Sequence, residues 1–259
     1  MEEKVNKRVK NVVDALVVAV QRVLDEKVVT ESEYRTAIHY LMKVAEQREM
    51  ALLCDVFFNS TVVATKARLS AGSTPAIEGP YYRDDAPMVD GQLKTYDTDD
   101  HKPLLIQGTV KASDGSVVES VTIDVWHSTP DGKYSGFHDD IPTDFYRGKL
   151  RVRADGSFRV RTTMPVAYQI PNQGPTGALL ETMGGHSWRP AHVHFKVMAP
   201  GYETLTTQYY FEGGDWVTDD CCNGVQDSLI IPDIVEDGVR LMNISFVIEP
   251  PRAQAGANA

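Results

Sequence analysis

The sequence predicts a mainly β protein in which an antiparallel β-sandwich follows an α-helical N-terminal region. The helical region is indicated by apolar residues that recur at spacings of three and four between residues 5 and 63. Beyond residue 70 the pattern changes to short alternating segments separated by turn residues such as Asp-Gly and Gly-Pro. Because no helical segment recurs regularly between these strands, a sandwich or barrel is favoured over a parallel α/β sheet.

Three helices are predicted in the N-terminal region. The first covers residues 5–26, where valines and leucines form one apolar stripe. Thr30 and Glu33 have the capping-box pattern, so a second helix is expected to begin there. The third covers residues 51–63. Since valine is a mediocre helix former, the first helix must be stabilised by burial, either in an intramolecular bundle or against a second subunit.

Seven short strands are predicted in the rest of the chain. Their alternating patterns are bounded by turns, and Asp155-Gly156 is of the kind that favours a tight hairpin turn between its neighbours. The strands are expected at residues 104–110, 121–127, 150–153, 157–162, 192–198, 205–211 and 241–248. We place the boundary between a helical domain, residues 1–75, and a sandwich domain, residues 76–259, in the Gly- and Pro-rich stretch near residue 75, and expect the tail 253–259 to be frayed.

Composition and charge exclude several classes of function. The chain has 259 residues and a formal net charge of −10, so nucleic acid is an unfavourable partner. The apolar run at residues 15–20 is too short to cross a bilayer and lacks the flanks of a signal peptide. Three cysteines, two of them adjacent, argue against a disulfide framework. A reduced, cytoplasmic protein is the simplest expectation.

A candidate metal site lies on the predicted strand at residues 192–198. Val193, Phe195 and Val197 alternate with polar positions, so this strand should have one buried face. Side chains two residues apart on a strand point the same way, which brings His192 and His194 together. Two converging imidazoles suit a transition metal, although this spacing alone is common and also fits buried histidines without a metal.

Two polar and aromatic loops are further candidates for the site. The long irregular connection at residues 163–189 is unusual in a compact domain and holds Tyr168, His186 and Trp188. A second loop follows a predicted strand and contains Tyr134. Loop tyrosines usually serve packing, but here they accompany a strand with paired histidines.

Four segments together resemble the intradiol ring-cleaving dioxygenases. In chain order they are VWHSTPDGKYS at residues 125–135, TTMPVAYQIP at 162–171, RPAHVHFKV at 189–197 and LTTQYYFEG at 205–213, behind a short helical region. The similarity runs from the first helix to about residue 249 and is strongest to the chlorocatechol-cleaving members. It implies cleavage of catechols by O2 to cis,cis-muconates.

The resemblance also implies a cofactor, one non-haem Fe(III) per subunit. Carried over to this chain, Tyr134 and His192 would be equatorial ligands, while Tyr168 and His194 would be axial, with hydroxide or water completing the set. Phenolate is a hard anionic donor that favours ferric iron, and two phenolates with one hydroxide balance its charge. Tyr168 would leave the metal when the catechol binds and take one of its protons.

Other residues receive roles from the same resemblance. Arg189, fixed by Pro190, would stabilise negative charge that develops on the ring, and Gln208 would assist catalysis nearby. A surface ion pair for Arg189 and a sheet hydrogen bond for Gln208 are the alternatives. The expected walls of the substrate pocket are Leu52, Asp55, Val56, Gly79, Tyr81 and Cys222.

The resemblance further implies partners. Besides the catechol and O2, it implies a homodimer joined through the N-terminal helices, with a bound phospholipid at the junction. Two rival interpretations remain at this point: a copper or zinc enzyme that uses only the two histidines, and a sandwich that serves only as a binding module. Neither explains why two loop tyrosines and the Arg-Pro-Ala-His-Val-His segment occur together.

Overall fold

The computed structural model of the chain describes residues 6–97 and 102–251. Within these residues the chain forms two compact units that divide between Glu49 and Met50. The domain boundary expected after residue 75 stays a prediction, and the expected fraying of residues 253–259 lies outside the described residues.

The N-terminal unit contains two helices, α1 (Lys7–Glu26) and α2 (Glu31–Glu46). Asn6 caps α1 by accepting a hydrogen bond from the Val9 N–H at 3.0 Å. The predicted capping box of α2 is present, since Thr30 and Glu33 each bond the backbone of the other. The start predicted for α1 at Val5 lies outside the described residues.

The apolar stripe of α1 is uncovered in the described chain. No residue of this helix is buried, and Leu16 in the middle of the stripe is 60% exposed. Only Val44 is buried in α2. The sequence therefore predicted these helices correctly, but the burial that the first helix requires is not provided within its own unit.

The second unit begins with one long helical stretch, Met50–Leu69. It consists of α3 (Met50–Cys54), a π-helical turn (Asp55–Asn59) and α4 (Ser60–Leu69), and extends beyond the predicted range 51–63. Among the described residues it is the one helical stretch that could cross a membrane on length and composition, a test that core helices of ordinary soluble proteins also pass. π-Helical turns in α-helices are frequent at functional sites.

Eleven strands form the rest of the architecture among the described residues. In chain order they are β1 (Pro103–Ala112), β2 (Thr122–His127), β3 (Arg147–Arg151), β4 (Ser157–Thr163), β5 (Tyr168–Gln169), β6 (Trp188–Arg189), β7 (His192–Met198), β8 (Leu205–Phe211), β9 (Ile230–Ile231), β10 (Ile234–Glu236) and β11 (Val239–Ile248). All seven predicted strands are present, and β5, β6, β9 and β10 are additional short ones. A 3₁₀ turn, Asp227–Leu229, precedes β9.

The strands make two packed sheets and a small ribbon. One sheet has the order β10-β11-β1-β4, the other β3-β2-β7-β8-β9, and β5 pairs with β6 alone. Phe195 of β7 and Phe246 of β11 meet at 5.3 Å between ring centroids, inside a core drawn from both sheets. The predicted sandwich is confirmed.

The strand pairing differs from the prediction, which was purely antiparallel. β1 runs parallel to β11, and β8 runs parallel to β9. The strands of each of these pairs are separated by long connections, so no short hairpin fixes their relative direction. The prediction of an antiparallel sandwich is therefore wrong for these two pairs.

Two local predictions also need correction. Asp155-Gly156 does form a tight turn, with the Gly156 N–H bonded to the Arg153 carbonyl at 2.9 Å, but β3 and β4 pair in different sheets. A turn reverses the chain without deciding which neighbours its strands adopt. The connection at 163–189 is not wholly irregular, because it contains β5, β6 and the helix α5 (Pro175–Thr182), which begins at a proline.

Candidate metal centre

The two histidines of β7 converge on a common point. Their Nε2 atoms are 2.9 Å apart, and both rings are buried. His192 donates its Nδ1–H to the Pro190 carbonyl at 2.7 Å, which leaves the lone pair on Nε2 facing His194. This is the arrangement expected of a metal-binding histidine whose other nitrogen is held by the backbone.

Neighbouring strands hold these rings in place. In the sheet register, His194 lies between Trp126 of β2 and Gln208 of β8. The indole of Trp126 stacks on the His194 ring at 4.7 Å and 3° between planes. Tyr210 of β8 lies opposite His192, with ring centroids 5.5 Å apart. The sheet therefore fixes both imidazoles from either side.

Both imidazoles are held neutral. Burial lowers the pKa of His192 to about 3, and the nearby Arg189 charge acts in the same direction. The pKa of His194 is lowered well below its ordinary value, again by burial first and then by His192 and Arg189. A neutral imidazole offers a lone pair, which is the form that binds a metal.

The two loop tyrosines complete a group of four rings. Tyr134 and Tyr168 have ring centroids 5.3 Å apart. Tyr168 lies 5.6 Å from His192 and Tyr134 lies 6.4 Å from His194, again between centroids. Burial, followed by the proximity of Tyr168, raises the pKa of Tyr134 well above its ordinary value, and burial raises that of Tyr168 as well.

The Tyr134 hydroxyl is buried, faces Tyr168, and yet makes no hydrogen bond of ordinary geometry within the described part of the chain. A buried phenol without a partner is costly unless another group uses its oxygen. Two phenol oxygens and two imidazole nitrogens are a donor set that fits ferric iron, since phenolate favours the trivalent ion. The residues present therefore fit the cofactor that the sequence implied.

Close backbone packing brings Tyr168 to this position. Tyr168 of β5 pairs with Arg189 of β6, so the phenol and the guanidinium are tied by the same ribbon. Gly132 has φ +82°, and a Cβ there would approach the Tyr168 Cβ to 3.0 Å. The Asp131-Gly132 turn thus allows the two tyrosine loops to touch.

A buried arginine that sequence analysis missed holds the Tyr134 loop. Arg147 is 2% exposed and donates from Nε to the Ser135 hydroxyl and from Nη2 to the Ser135 carbonyl, both at 2.7 Å. Its two Nη groups also reach the Tyr81 carbonyl at 3.3 Å. Tyr81 in turn stacks on Tyr134 at 4.2 Å. Nothing in the sequence pattern distinguishes Arg147 from an ordinary charged residue at the end of a strand.

Arg189 lies beside His192, and Gln208 lies beside His194 in the sheet register. Arg189 is buried, with Nη1 at 3.5 Å from His192 Nε2, and forms an ion pair with Asp220 at 3.0 Å. Gln208 is fully buried, and neither atom of its amide has a hydrogen-bond partner among residues 6–97 and 102–251. An unpartnered buried amide can accept or donate to a bound molecule.

Five of the six expected pocket residues pack around the same rings. Val56 and Cys222 pack with Tyr134 and Tyr168 in one buried cluster, and Leu52 and Tyr81 pack against it. A Cβ on Gly79 would lie 3.9 Å from the His194 ring. Asp55, on the π-helical turn, has its pKa raised by burial, with opposing contributions from Asn59 and Arg189.

Comparisons with known proteins agree with this geometry. Residues 77–249 match the family model described as Dioxygenase, and residues 6–74 match the model described as Catechol dioxygenase N terminus. The chain belongs to the intradiol dioxygenases. Within this family it is 89% identical over 253 residues to the chlorocatechol 1,2-dioxygenase of Cupriavidus pinatubonensis (strain JMP 134 / LMG 1197), covering 98% of this chain and 99% of that protein.

Solved structures of intradiol dioxygenases have the same fold. The crystal structure of chlorocatechol 1,2-dioxygenase from Pseudomonas putida is 61% identical, with a TM-score of 0.92, and the match covers 95% of this chain and all of that one. The 3-chlorocatechol 1,2-dioxygenase structure from Rhodococcus opacus 1CP is 34% identical, with a TM-score of 0.88 and coverage of 95% and 100%. The binding-module alternative is thus excluded. Intradiol dioxygenases are non-haem iron enzymes, which also disfavours the copper or zinc alternative.

Proposed function

We propose that this protein cleaves chlorocatechols between their two hydroxyl-bearing carbons with O2, using one Fe(III) per subunit. The observation that carries the proposal is the convergence of two phenols and two imidazoles, with no hydrogen bond of ordinary geometry to the Tyr134 hydroxyl among the described residues. The high identity to chlorocatechol 1,2-dioxygenases supports the substrate class. The reaction consumes one catechol and one O2 and gives one cis,cis-muconate containing both oxygen atoms.

Tyr134, Tyr168, His192 and His194 are the residues that would hold the iron. When bound, ferric iron withdraws electron density from a chelated catecholate, which makes the ring reactive toward O2. The protein supplies two neutral imidazoles and two phenols in a buried pocket, so the charge of the ion is compensated mainly by phenolate.

Tyr168 has a second role in the proposal. Its phenolate oxygen would accept one of the two catechol protons, and the hydroxide that completes the expected ligand set would take the other. The substrate would then bind as a dianion without adding net charge to the buried site. The backbone pairing of Tyr168 with Arg189 keeps the released phenol next to a guanidinium. Burial raises the pKa of Tyr168 despite the opposing Arg189 charge, so the released side chain is stable as the neutral phenol.

Arg189 and Gln208 act on the substrate. The Nη1 group of Arg189 points toward the histidine pair, where it stabilises negative charge that develops on the ring and its oxygens. The unpartnered amide of Gln208 lies across the sheet from His194 and is able to orient the bound molecule. The substrate is enclosed by the pocket residues Leu52, Asp55, Val56, Gly79, Tyr81 and Cys222, which exclude water and limit ring substituents.

Product analysis tests this function. Purified protein loaded with Fe(III) is mixed with 4-chlorocatechol and ¹⁸O₂, and oxygen uptake and the product mass are measured. One O2 consumed per catechol, with two ¹⁸O atoms in a chloromuconate, is expected. Absence of oxygen uptake with catechol and each chlorocatechol, at full iron occupancy, contradicts the proposal.

We further propose a homodimer joined through the N-terminal helices, with a phospholipid at the junction, in a cytoplasmic enzyme. The support is the uncovered stripe of α1, which includes Val9, Val13, Leu16, Val17 and Val20. An isolated amphipathic helix with this much exposed valine is unfavourable in water, and a second copy of the same helix is a self-complementary partner.

Light scattering during gel filtration tests the dimer. Leu16→Glu on the stripe should give a monomer, whereas Val18→Glu on the opposite face of α1 should leave the dimer intact, since both positions are exposed to a similar extent. An unchanged dimer in Leu16→Glu contradicts this interface. Mass spectrometry of an organic extract of the native protein reports whether a phospholipid is bound.

A further inference from the structure

We propose that Asp220 is a positioning residue, which orients Arg189 so that one edge of the guanidinium is free to face the reacting ring. This inference rests on the proposed function and extends it to a residue outside the four recognised segments.

The Asp220 carboxylate is buried and fully hydrogen-bonded. Oδ1 accepts from Arg189 Nε at 3.0 Å and from the Cys222 N–H at 3.2 Å. Oδ2 accepts from Arg189 Nη2 and from the Gly224 N–H, both at 3.0 Å. Two backbone amides therefore fix the carboxylate, and the carboxylate fixes the arginine in a two-point contact.

Among the three guanidinium nitrogens, only Nη1 bonds neither Asp220 nor Tyr210. Nε and Nη2 face Asp220, and Nη2 also donates to the Tyr210 hydroxyl at 3.0 Å. Nη1 lies on the other side, 3.5 Å from His192 Nε2. Rotating the plane would break two charge-assisted bonds, so the direction of Nη1 is set by Asp220.

The surrounding chain is built around this pair. A Cβ on Gly224 would lie 2.9 Å from Arg189 Nη2 and 3.1 Å from Asp220 Oδ2, so only glycine fits without displacing one of the two side chains. Burial acts to raise the pKa of Asp220, but the Arg189 charge and hydrogen bonds hold it below its ordinary value. The carboxylate therefore stays ionised beside Arg189.

Asp220 also has a competing interpretation as a metal ligand. Its carboxylate and the thiols of Cys221 and Cys222 have ligand atoms within 4.8 Å of one another. Each carboxylate oxygen, however, already accepts two hydrogen bonds, one of them from a guanidinium. A cation at this position would compete with Arg189, so orientation of the arginine is the better account.

Steady-state kinetics of Asp220→Asn test the proposal. The amide keeps the shape but removes the charge, so Nη1 is no longer held in one direction. For an iron-loaded enzyme with 4-chlorocatechol we expect kcat to fall by about 10²-fold, with KM changed by less than about threefold because the catechol is bound mainly by the metal. Asp219→Asn is the matched control, since its exposed carboxylate bonds only His186, at 3.1 Å, among the described residues.

A rescue experiment decides between positioning and a merely structural role, and its Arg189→Ala arm does not require Asp220→Asn to fold. Guanidinium chloride at millimolar concentration should restore kcat at least about tenfold in Arg189→Ala, because Asp220 binds the added cation in the vacated space. It should restore nothing in Arg189→Ala/Asp220→Asn, and urea should restore nothing in either variant.

Two results would overturn the inference: a kcat of Asp220→Asn within twofold of Asp219→Asn, or equal guanidinium rescue with and without Asp220. Oxygen uptake by the wild-type enzyme is measured in the same series. Its absence refutes the proposed function itself, whereas normal wild-type uptake with an unaffected Asp220→Asn refutes only the role of Asp220.

Discussion

The strand side and the loop side of the candidate metal centre are held by different means. His192 and His194 lie on one face of β7, opposite the core residues Val193, Phe195 and Val197, and the hydrogen-bonded register of the sheet fixes them. Tyr134 and Tyr168 come from connections with little regular backbone pairing, and buried arginines tie those connections together. Positions in a sheet are set by many shared bonds, whereas each loop tyrosine depends on a few polar side chains.

The loop side is therefore the part of the site that a single substitution disrupts most easily. On the loop side, each guanidinium links segments that no regular backbone hydrogen bonding connects. Arg147 donates to the Ser135 and Tyr81 carbonyls, and Arg189 donates to Asp220 and to the Tyr210 hydroxyl. Removing such a donor leaves buried acceptors unsatisfied. We therefore expect single changes on the loop side to disturb the metal site without a change to any metal ligand.

The largest expected effect comes from Tyr134→Phe. Loss of a permanent phenolate ligand should remove most of the iron or the visible colour, and activity should fall with it. Iron content by elemental analysis and the absorption spectrum are the measurements. Tyr81→Phe, which keeps the ring stacked on Tyr134, is the control and should retain iron and colour. Unchanged iron and spectrum in Tyr134→Phe would remove this residue from the site.

Tyr168→Phe should separate iron binding from turnover. Three of the four proposed ligands remain, so part of the iron should be retained, but the base that takes the catechol proton is gone. We expect kcat to fall by about 10² to 10⁴-fold per bound iron, the range for loss of a positioned proton acceptor. Wild-type turnover per iron in this variant would refute the leaving role of Tyr168.

Arg147→Met tests the loop side without touching a ligand. The change removes the donors to the Ser135 hydroxyl and to two buried carbonyls, so we expect the free energy of unfolding to fall by about 2 to 4 kcal/mol. Iron occupancy should fall as well, because the Tyr134 loop is released. Denaturant unfolding and iron analysis are compared with Arg151→Met, at the exposed end of the same strand. Equal behaviour of the two variants would contradict the assigned function of Arg147.

A smaller effect is expected from pH, through His127 at the end of β2. Its ring contacts the Ser128 carbonyl at 2.7 Å and the Thr162 hydroxyl at 2.8 Å, and burial lowers its pKa to about 4. The unfolded chain binds a proton near pH 6.5, so stability is lost as pH falls from 6.5 towards 4. The contribution at pH 5 is about 2 kcal/mol.

His127→Asn provides the check on this pH dependence. The variant lacks the titrating group, so its free energy of unfolding should fall less steeply between pH 6.5 and 5 than that of the wild type. Equilibrium urea unfolding at several pH values measures both slopes. Parallel curves for the two proteins would show that His127 does not titrate as its burial indicates.

Sequence patterns predicted the strand side of the site better than the loop side. Alternation of apolar residues placed β7 and its two histidines, and the capping box placed the start of α2, because these signals are local. The tyrosines were indicated only by the composition and length of their loops, and their role as metal ligands came from the resemblance. Asp220 and Arg147 were missed, since a buried charge and a surface charge have the same letter in a sequence.

The errors in the fold have the same origin. Parallel pairing of β1 with β11 joins segments more than a hundred residues apart in the chain, which no short pattern reports. The Asp155-Gly156 turn was predicted correctly, but the assignment of β3 and β4 to different sheets depends on the whole core. Local conformation followed from the sequence, whereas long-range partners required the structure.

The visible absorption spectrum, recorded before and after anaerobic addition of 4-chlorocatechol, is the decisive measurement for the proposed iron site. We expect a broad tyrosinate-to-iron band in the purified protein, which shifts to longer wavelength when the substrate chelates the metal. A colourless protein with full zinc or copper occupancy, whose spectrum does not respond to the catechol, would contradict this expectation.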